Sequence, residues 1–379
     1  MIKTIDECFF QIQNGANIKQ GDVDGGFPIT RIETTANDKF NRDRMGYAGI
    51  TDISKYESYV LEEGDLLMSH INSVQYLGRT VLYVKEADET IIHGMNLLRL
   101  KARRDVINPA YARYCFYGHS FRSKVGNITK KSVNQASFAV KDLKQIKIEV
   151  PSLSEQDQIV KVLDKLQNLI AMRNDELSAL DDFIKARFVE MFGSPVSNPM
   201  FWKKRTLKEV CIKLNDGTHF SPESFETGEY KYVTAKNIKV TGFDFTNITY
   251  VPEEVHRPIY ERCNPELGDV LYIKDGATTG IAMVNTLEEE FTLLSSVALL
   301  KQNRTIMNGY FLTALLNNED MYMDIRNNMG GAAITRLTIA KLNAIKVIVP
   351  PIELQKQFAD FVTQVNKSKV VIMNIRKLQ

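Results

Sequence analysis

The second half of this chain repeats the first half, and this duplication constrains the fold more than any other feature of the sequence. Four blocks of similar sequence occur in the same order in both halves, at a nearly constant offset of about 200 positions. The second half has ELGDVL where the first has EEGDLL, and KLNAIKVIVP where the first has DLKQIKIEVP. The matched positions are Thr4, Glu7 and Gly15 with Thr206, Glu209 and Gly217; Gly64, Asp65 and Leu67 with Gly268, Asp269 and Leu271; Gly78 with Gly280; and Leu143, Ile146, Lys147, Val150 and Pro151 with Leu342, Ile345, Lys346, Val349 and Pro350. The shared order predicts two copies of one domain.

Each copy contains the same succession of predicted elements. Short strand-like runs such as TVLYV and VLYIK come first, separated by turn sequences such as NDG and KDG. A short helical segment follows, PAYARYCFYGHSF or GYFLTALLNNEDMY, and then a strand, IKIEV or IKVIV. Pro151 and Pro350 end that strand because proline cannot donate to a sheet ladder, and a long helix begins after each. This order predicts an α+β fold with two similar β-rich domains, each followed by a long helix.

The helix after Pro151 has the clearest pattern in the chain. Its apolar residues step by four and three over about four heptads. They are Ile159, Leu163, Leu166, Ile170, Leu177, Leu180, Ile184 and Phe188, and the second copy begins the same pattern at Phe358, Phe361, Val365, Ile372 and Ile375. Ser154, followed by Glu155 and Asp157, predicts the N-terminal cap and an acidic first turn.

The length of this helix predicts how the two copies are connected. A helix of roughly 37 residues spans roughly 55 Å, which is more than one domain covers, although packing on its own domain is the alternative. The linker GSPVSNPMFWKK is short, so the second helix has to run back to meet the first. We therefore expect an antiparallel coiled coil with pseudo-two-fold symmetry. The predicted boundaries are 1–152 and 205–351 for the domains, 153–192 and 352–379 for the helices, and 193–204 for the linker.

Composition narrows the class of protein. No apolar run is long enough to cross a bilayer, and acidic Asp6 and Glu7 stand where a signal peptide would be apolar. The four cysteines are far apart, which argues against a zinc cage or a disulfide framework and suits the reducing cytoplasm. A net charge of +2 does not exclude nucleic-acid binding, because charge can cluster on one face.

The two-copy plan, the segments ELGDVLYIKDGATTG and LNDGTHFSP, and the linker FGSPVSNPMFW resemble the specificity subunit of type I restriction–modification enzymes. The first copy matches less closely, because MSHINSVQYLG stands where the second has YIKDGATTG. The resemblance implies two target-recognition domains, each of which reads one half of a split double-stranded DNA sequence. It implies that the helices act as a ruler and dock two modification (methyltransferase) subunits that bring S-adenosylmethionine, and that restriction (helicase–nuclease) subunits can join them. It implies a cytoplasmic, non-catalytic chain without a cofactor of its own.

Candidate DNA contacts are polar side chains on loops, because base edges are read by hydrogen-bonding groups. In the second domain they are Asp216, Thr218, His219, Lys236, Asn237, Lys274, Asp275, Thr278 and Thr279. Their rough counterparts in the first are Gln13, Asn14, Asn17, Arg31, His70, Asn72, Gln75 and Arg79. Basic clusters are candidates for phosphate contacts. They are Arg99, Lys101, Arg103 and Arg104; Arg122, Lys124, Lys130 and Lys131; and Lys203, Lys204, Arg205 and Lys208.

Two other functions remain as alternatives. A methyltransferase or nuclease active as a single chain would use NPAY at Asn108, NPMF at Asn198, or EYK at Glu229. The first two lack the second proline of the amino-methyltransferase signature and have no glycine-rich methyl-donor loop before them. We interpret them as a helix start and an inter-domain turn. The other alternative is a coiled-coil scaffold that does not touch DNA.

Overall fold

The structure is a computed structural model. It describes residues 1–18, 25–47, 49–132, 135–327 and 336–377, with side chains described as far as Ile372. The chain divides into two compact units, Met1–Leu169 and Ile170–Gln379.

The described residues of the first unit form eleven strands and four short α-helices, followed by a long helix that continues into the second unit. The strands are β1 (Ile2–Thr4), β2 (Phe9–Asn14), β3 (Pro28–Ile29), β4 (Gly46–Tyr47), β5 (Leu66–Ser69), β6 (Ile71–Asn72), β7 (Thr80–Leu82), β8 (Leu97–Ala102), β9 (Lys130–Lys131), β10 (Ala136–Ser137) and β11 (Lys147–Glu149). The helices are α1 (Ile5–Cys8), α2 (Pro109–Tyr117), α3 (His119–Ile128), α4 (Val140–Lys144) and α5 (Leu153–Phe192).

The described residues of the second unit form eleven strands and six α-helices in a similar but not identical order. Its strands are β12 (Lys204–Thr206), β13 (Cys211–Asp216), β14 (Tyr230–Val233), β15 (Ile238–Lys239), β16 (Gly242–Phe243), β17 (Thr249–Val251), β18 (Val270–Ile273), β19 (Ala282–Val284), β20 (Phe291–Leu293), β21 (Val297–Gln302) and β22 (Lys346–Ile348). Its helices are α6 (Leu207–Val210), α7 (Glu253–Arg262), α8 (Gly309–Leu316), α9 (Glu319–Asn327), α10 (Ile339–Ala344) and α11 (Ile352–Lys377).

The central sheets of the two units have the same topology. Each has four antiparallel strands, in the order β2-β8-β5-β7 in the first unit and β13-β21-β18-β19 in the second. The register shifts at the same place in both, between Phe9 and Gln11 and between Cys211 and Lys213. The predicted strand before each proline forms a separate two-stranded sheet, β1-β11 and β12-β22. The duplication read from the sequence is therefore a duplication of structure.

Each central sheet is covered on both faces, which explains why its strands read as continuous apolar runs. Side chains alternate between the faces of a strand. Along β18, Val270 and Tyr272 enter one apolar cluster with the helices, whereas Leu271 and Ile273 enter another. In β5, Leu66 faces the helix side and Leu67 the opposite side.

Each domain is followed by a proline and, a few residues later, by a Gln-x-Gln sequence, in PSLSEQDQ from Pro151 and in PPIELQKQ from Pro350. The first glutamine of each Gln-x-Gln sequence links the long helix to its domain. Gln156 is fully buried, and its Oε1 accepts a hydrogen bond from Asn108 N at 2.8 Å, while its Nε2 donates to Val106 O at 3.0 Å and Pro151 O at 2.9 Å. Gln355 repeats these contacts with Asn308 N at 2.9 Å, Ile306 O at 3.1 Å and Pro350 O at 2.8 Å. Each glutamine thus satisfies three buried backbone groups at the junction of domain and helix.

Helix α5 is 40 residues long and begins one residue after its cap. The cap is Ser152 and not the predicted Ser154. The Glu155 carboxylate accepts from Ser152 N at 2.9 Å and Oγ at 2.6 Å, and Ser152 Oγ accepts from Glu155 N at 3.4 Å. This reciprocal capping box sets the start of the helix at Leu153.

Within the second unit, α5 and α11 pack against each other and run antiparallel. Phe188 contacts Phe358 with ring centroids 5.6 Å apart, and Asp181 forms an ion pair with Lys369. The residue number rises along α5 as it falls along α11, which establishes the direction. Burial of the predicted apolar stripe is uneven, because Phe188 is buried while Ile159 and Ile170 are 37% and 40% exposed. The predicted Ile375 lies outside the described side chains.

Each short helical segment predicted from sequence is two helices. In the first unit the segment breaks at Gly118, between α2 and α3. All four cysteines are free thiols. No helix in the described part of the chain is both long and apolar enough to cross a membrane.

Candidate nucleic-acid interface

Most of the candidate residues of the second domain meet at one end of its central sheet. Strand β13 ends at Asp216 and β18 ends just before Lys274, and β21, which begins at Val297, runs antiparallel between them. The loops after β13 and after β18 therefore leave the sheet at the same edge. Ser296 connects this edge to the turn after β14, because its carbonyl accepts from Lys274 N at 2.9 Å and its hydroxyl from Ala235 N at 3.3 Å.

A buried ion pair joins the two loops. Asp216 and Lys274 are 3% and 1% exposed, and Asp216 Oδ2 lies 3.3 Å from Lys274 Nζ. Asp216 Oδ1 also lies 3.1 Å from His219 Nε2 and 3.5 Å from Arg262 Nη1. Burying charge is unfavourable unless partners compensate it, and the cations of Lys274 and Arg262, together with the His219 imidazole, surround this carboxylate.

The other candidates of the second domain divide into buried and accessible side chains. Thr218, Asn237 and Thr279 are buried. Asn237 Oδ1 accepts from Thr234 N at 3.0 Å, and Thr279 Oγ1 donates to Gly276 O at 2.7 Å, so both act within their turns. The accessible side chains are the exposed His219, Lys236 and Thr278 and the half-buried Asp275.

The first domain carries a neutral pair at the place of this ion pair. Asn14 Nδ2 lies 3.3 Å from His70 Nε2 and donates to Met95 O at 3.2 Å. His70 is 5% exposed, and burial lowers its pKa to about 4, so the imidazole is neutral near pH 7.

The remaining candidates of the first domain are spread over several loops. Asn72 Nδ2 donates to Ser69 Oγ at 3.3 Å. Arg79 Nε lies 2.8 Å from Asp38 Oδ1. Arg31 is half-buried against Gly46, where a Cβ would lie 2.1 Å from its Nε. Asn17 and Gln75 are exposed, and Gln13 is half-buried in β2.

Backbone hydrogen bonds show that the two pairs occupy equivalent positions. Ala16 N donates to His93 O at 2.7 Å, and Thr218 N donates to Leu293 O at 2.8 Å, two residues after Asn14 and Asp216 respectively. Gly15 and Gly217 stand between, and a Cβ on either would lie within about 2 Å of a carbonyl oxygen. The backbone of this edge is thus shared, whereas the side chains on it differ.

Several basic residues predicted to contact phosphate belong to the fold. Arg99 is 1% exposed and donates to Val60 O at 2.8 Å, so its guanidinium lies inside the unit and is not accessible to a phosphate. Lys101 pairs with Glu62 at 2.5 Å, as Lys301 pairs with Glu266 at 2.7 Å in the second unit. Among the residues of the predicted basic clusters, those that are exposed are Arg103, Arg104, Lys124, Lys130, Lys131, Lys203, Lys204 and Lys208.

Sequence reasoning missed two arginines at the edge of the second sheet. Arg262 ends α7 and contacts Asp216, and Arg336 Nε lies 3.2 Å from Asp275 Oδ1. Neither lies in a block that the two halves share, so the duplication gave no signal for them. Only their residue type could have suggested a role.

The motifs that imitate enzyme sites have structural roles. Asn108 caps α2, with its Oδ1 accepting from Ala110 N at 2.8 Å, and Asn198 Oδ1 accepts from Trp202 N at 2.9 Å in the linker turn. Lys231 of EYK pairs with Glu289. No group of three or more His, Cys, Asp or Glu side chains that could hold a metal occurs in the described part of the chain.

The fold and this surface define a protein built from two copies of one α+β domain, each with its own polar side chains on a shared loop framework. The sequence profile of the family described as type I restriction modification DNA specificity domain matches residues 3–181 and again residues 199–379. The chain belongs to this family.

Individual relatives agree with this assignment. The chain is 28% identical over 403 residues to a putative type I restriction enzyme MjaX specificity subunit of Methanocaldococcus jannaschii, covering 99% of this chain and 92% of the relative. Its fold is similar to the crystal structure of a type I restriction–modification S subunit from M. genitalium, with a TM-score of 0.55, 15% identity and coverage of 100% and 94%. A structure from a study of complex assembly and conformational transition of the type I R-M system gives a TM-score of 0.55 at 16% identity, with coverage of 100% and 92%.

Proposed function

We propose that this chain is the DNA-reading subunit of a type I restriction–modification system and that each of its two domains reads one half of a bipartite site. Family membership supports the general role. The proposal that the two domains read different half-sites rests on one observation. Equivalent backbone positions carry the Asn14–His70 pair in the first domain and the Asp216–Lys274 pair in the second. Equivalent backbone docks each domain on DNA in the same way, and unlike side chains then select different bases.

Within each domain, accessible side chains on the loops make the base contacts, and side chains that contact one another hold the loops. The side chains that contact bases are exposed or half-buried and lie on or near the loops. They are Asn17, Asn72, Gln75, His219, Lys236 and Thr278. Asn14, His70, Asp216 and Lys274 link the loops of one edge through their side chains. Thr218, Asn237 and Thr279 fix turns of the second domain. In the first domain, Arg31 packs against Gly46 and Arg79 pairs with Asp38.

The chemistry of methylation belongs to partner subunits in this proposal. Two modification subunits dock on the chain and bring S-adenosylmethionine, restriction subunits join that complex, and the chain itself catalyses no reaction. It acts in the cytoplasm, where its DNA target is found. The relatives support these assignments through the system that they are named for.

Methylome sequencing of cells without other adenine methylation tests the proposal. We expect one split motif when the chain is expressed with a type I modification subunit from the same genome, and no methylation with either protein alone. Methylation by the purified chain with S-adenosylmethionine would establish the single-chain enzyme instead. A modification subunit that methylates the same motif without the chain would also contradict the proposal.

A further inference from the structure

The edge of the second sheet carries a row of alternating charges that extends from the interior to the surface. Asp216 contacts Lys274, whose Nζ also lies 3.1 Å from Asp275 Oδ2. Asp275 in turn contacts Arg336 at 3.2 Å. Exposure of the side chain rises along the row, from 2% for Lys274 to 22% for Asp275 and 58% for Arg336.

The backbone and the carboxylate together hold Arg336 in one orientation. Asp275 and Arg336 form an antiparallel β-bridge, and Leu337 N donates to Lys274 O at 2.8 Å. The carboxylate meets the guanidinium at Nε, and Nη1 and Nη2 have no hydrogen-bond partner among the described residues. The Arg336 side chain is 58% exposed, so these two donors are accessible to an acceptor pair. The ion pair with Asp275 restricts the side chain, which lowers the entropy cost of binding such a pair.

The first unit shows that the fold does not need this arginine. There Phe138 N donates to His70 O at 3.3 Å, as Leu337 N donates to Lys274 O in the second unit. Ile71 pairs with Ser137, as Asp275 pairs with Arg336 in the second unit. The counterparts of Asp275 and Arg336 are thus Ile71 and Ser137, which cannot form an ion pair. An exposed pair also adds little stability, so a structural role does not explain it.

We propose that Arg336 reads a guanine in the half-site of the second domain and that Asp275 is the residue that positions it. This inference rests on the proposed DNA-reading function. In the major groove, guanine presents N7 and O6 as two adjacent acceptors, which fit the Nη1 and Nη2 donors of one arginine. The acidic neighbour disfavours a phosphate as the ligand of this arginine, because the carboxylate repels an anion.

Three variants, expressed with the modification subunit and mapped by methylome sequencing, test this inference. Arg336→Gln removes the guanidinium, Arg336→Lys keeps the charge without the planar fork, and Asp275→Asn keeps the shape of the positioning residue without its charge. We expect Arg336→Gln and Arg336→Lys both to relax one guanine of the second half-site, with discrimination falling roughly 10- to 100-fold. Asp275→Asn relaxes the same guanine more weakly, and the first half-site stays unchanged in all three.

Other outcomes have defined meanings. Arg336 would be a phosphate contact if Arg336→Lys kept the motif while Arg336→Gln weakened methylation of every site equally. That result would overturn the inference. An unchanged motif in all variants, or a wild-type second half-site without a G·C pair, would also overturn it. Absence of any split motif with the wild-type chain would instead refute the proposed function. Thermal unfolding and copurification with the modification subunit confirm that each variant is folded and assembled.

Discussion

At the scale of residues, buried polar side chains at repeated positions connect parts of this chain that are distant in sequence. Gln156 and Gln355 each bridge three backbone groups that would otherwise be buried without partners. The second glutamine of each motif, Gln158 or Gln357, is exposed. The two glutamines of Gln-x-Gln therefore differ in role although the sequence presents them alike.

Replacing the buried glutamine of the second unit tests this difference. Gln355→Ala leaves Asn308 N and two carbonyls without partners, so we expect the free energy of unfolding to fall by about 2–4 kcal/mol. Urea unfolding measures it, and Gln357→Ala is the matched control, with an expected change within about 0.5 kcal/mol. A loss for Gln355→Ala as small as that of the control would show that the buried contacts contribute nothing.

The two units carry different side-chain pairs at equivalent positions, Asn14–His70 and Asp216–Lys274, and this difference gives a second prediction. Asp216→Asn or Lys274→His alone breaks the buried ion pair and lowers the free energy of unfolding by about 3 kcal/mol. The double variant recreates the pair of the first unit. We expect it to be about 1–3 kcal/mol more stable than the sum of the single effects predicts, as measured in a double-mutant cycle. Strict additivity would mean that the two positions do not act as a pair.

At the scale of elements, the end of α5 is part of the core of the second unit. Phe188 and Phe192 of α5 pack with Phe311 of α8 and Phe358 of α11, at centroid distances between 4.7 and 5.7 Å. The helix that follows the first domain is therefore also required to complete the second unit.

Truncation of one ring in this cluster measures that requirement. Phe358 is fully buried, so Phe358→Ala leaves a cavity and we expect a loss of about 3–5 kcal/mol in the free energy of unfolding. Phe183 also contacts α11, through Phe361, but is 54% exposed. Phe183→Ala serves as the control, with an expected loss below about 1 kcal/mol. Similar losses would argue against a shared core of α5, α8 and α11.

Patterns among neighbouring residues were enough to predict the helices and the duplicated domains. The candidate DNA-contact residues were harder to predict, because their positions depend on contacts between residues far apart in the sequence. The heptad pattern gave the long helices, and the repeated blocks gave the duplicated α+β domains, because both signals lie in neighbouring residues. Arg99 was predicted as a phosphate contact because its type favours the surface, yet carbonyls at Ser58 and Val60 hold it inside. The pairing of Arg336 with Asp275 depends on a β-bridge between distant segments, which no local pattern encodes.

At the scale of the whole molecule, duplication supplies two copies of one framework that carry different side chains. Gly15 and Gly217 keep the close backbone approach at the sheet edge, and the positions around them differ between the copies. Under the proposed function, the framework fixes docking while the loops select bases, so the specificity of one domain can change without that of the other.

The most direct test of this account transfers the sheet edge of one domain to the other. Asp216→Asn, Thr218→Ala, His219→Asn and Lys274→His together give the second domain the residues of the first, without any change in loop length after β13. The modified chain is expressed with the modification subunit, and the methylome is sequenced beside that of the wild type. We expect one half of the split motif to change and the other half to stay the same. A change in both halves, or an unchanged motif in a folded and assembled variant, would contradict independent reading by two domains.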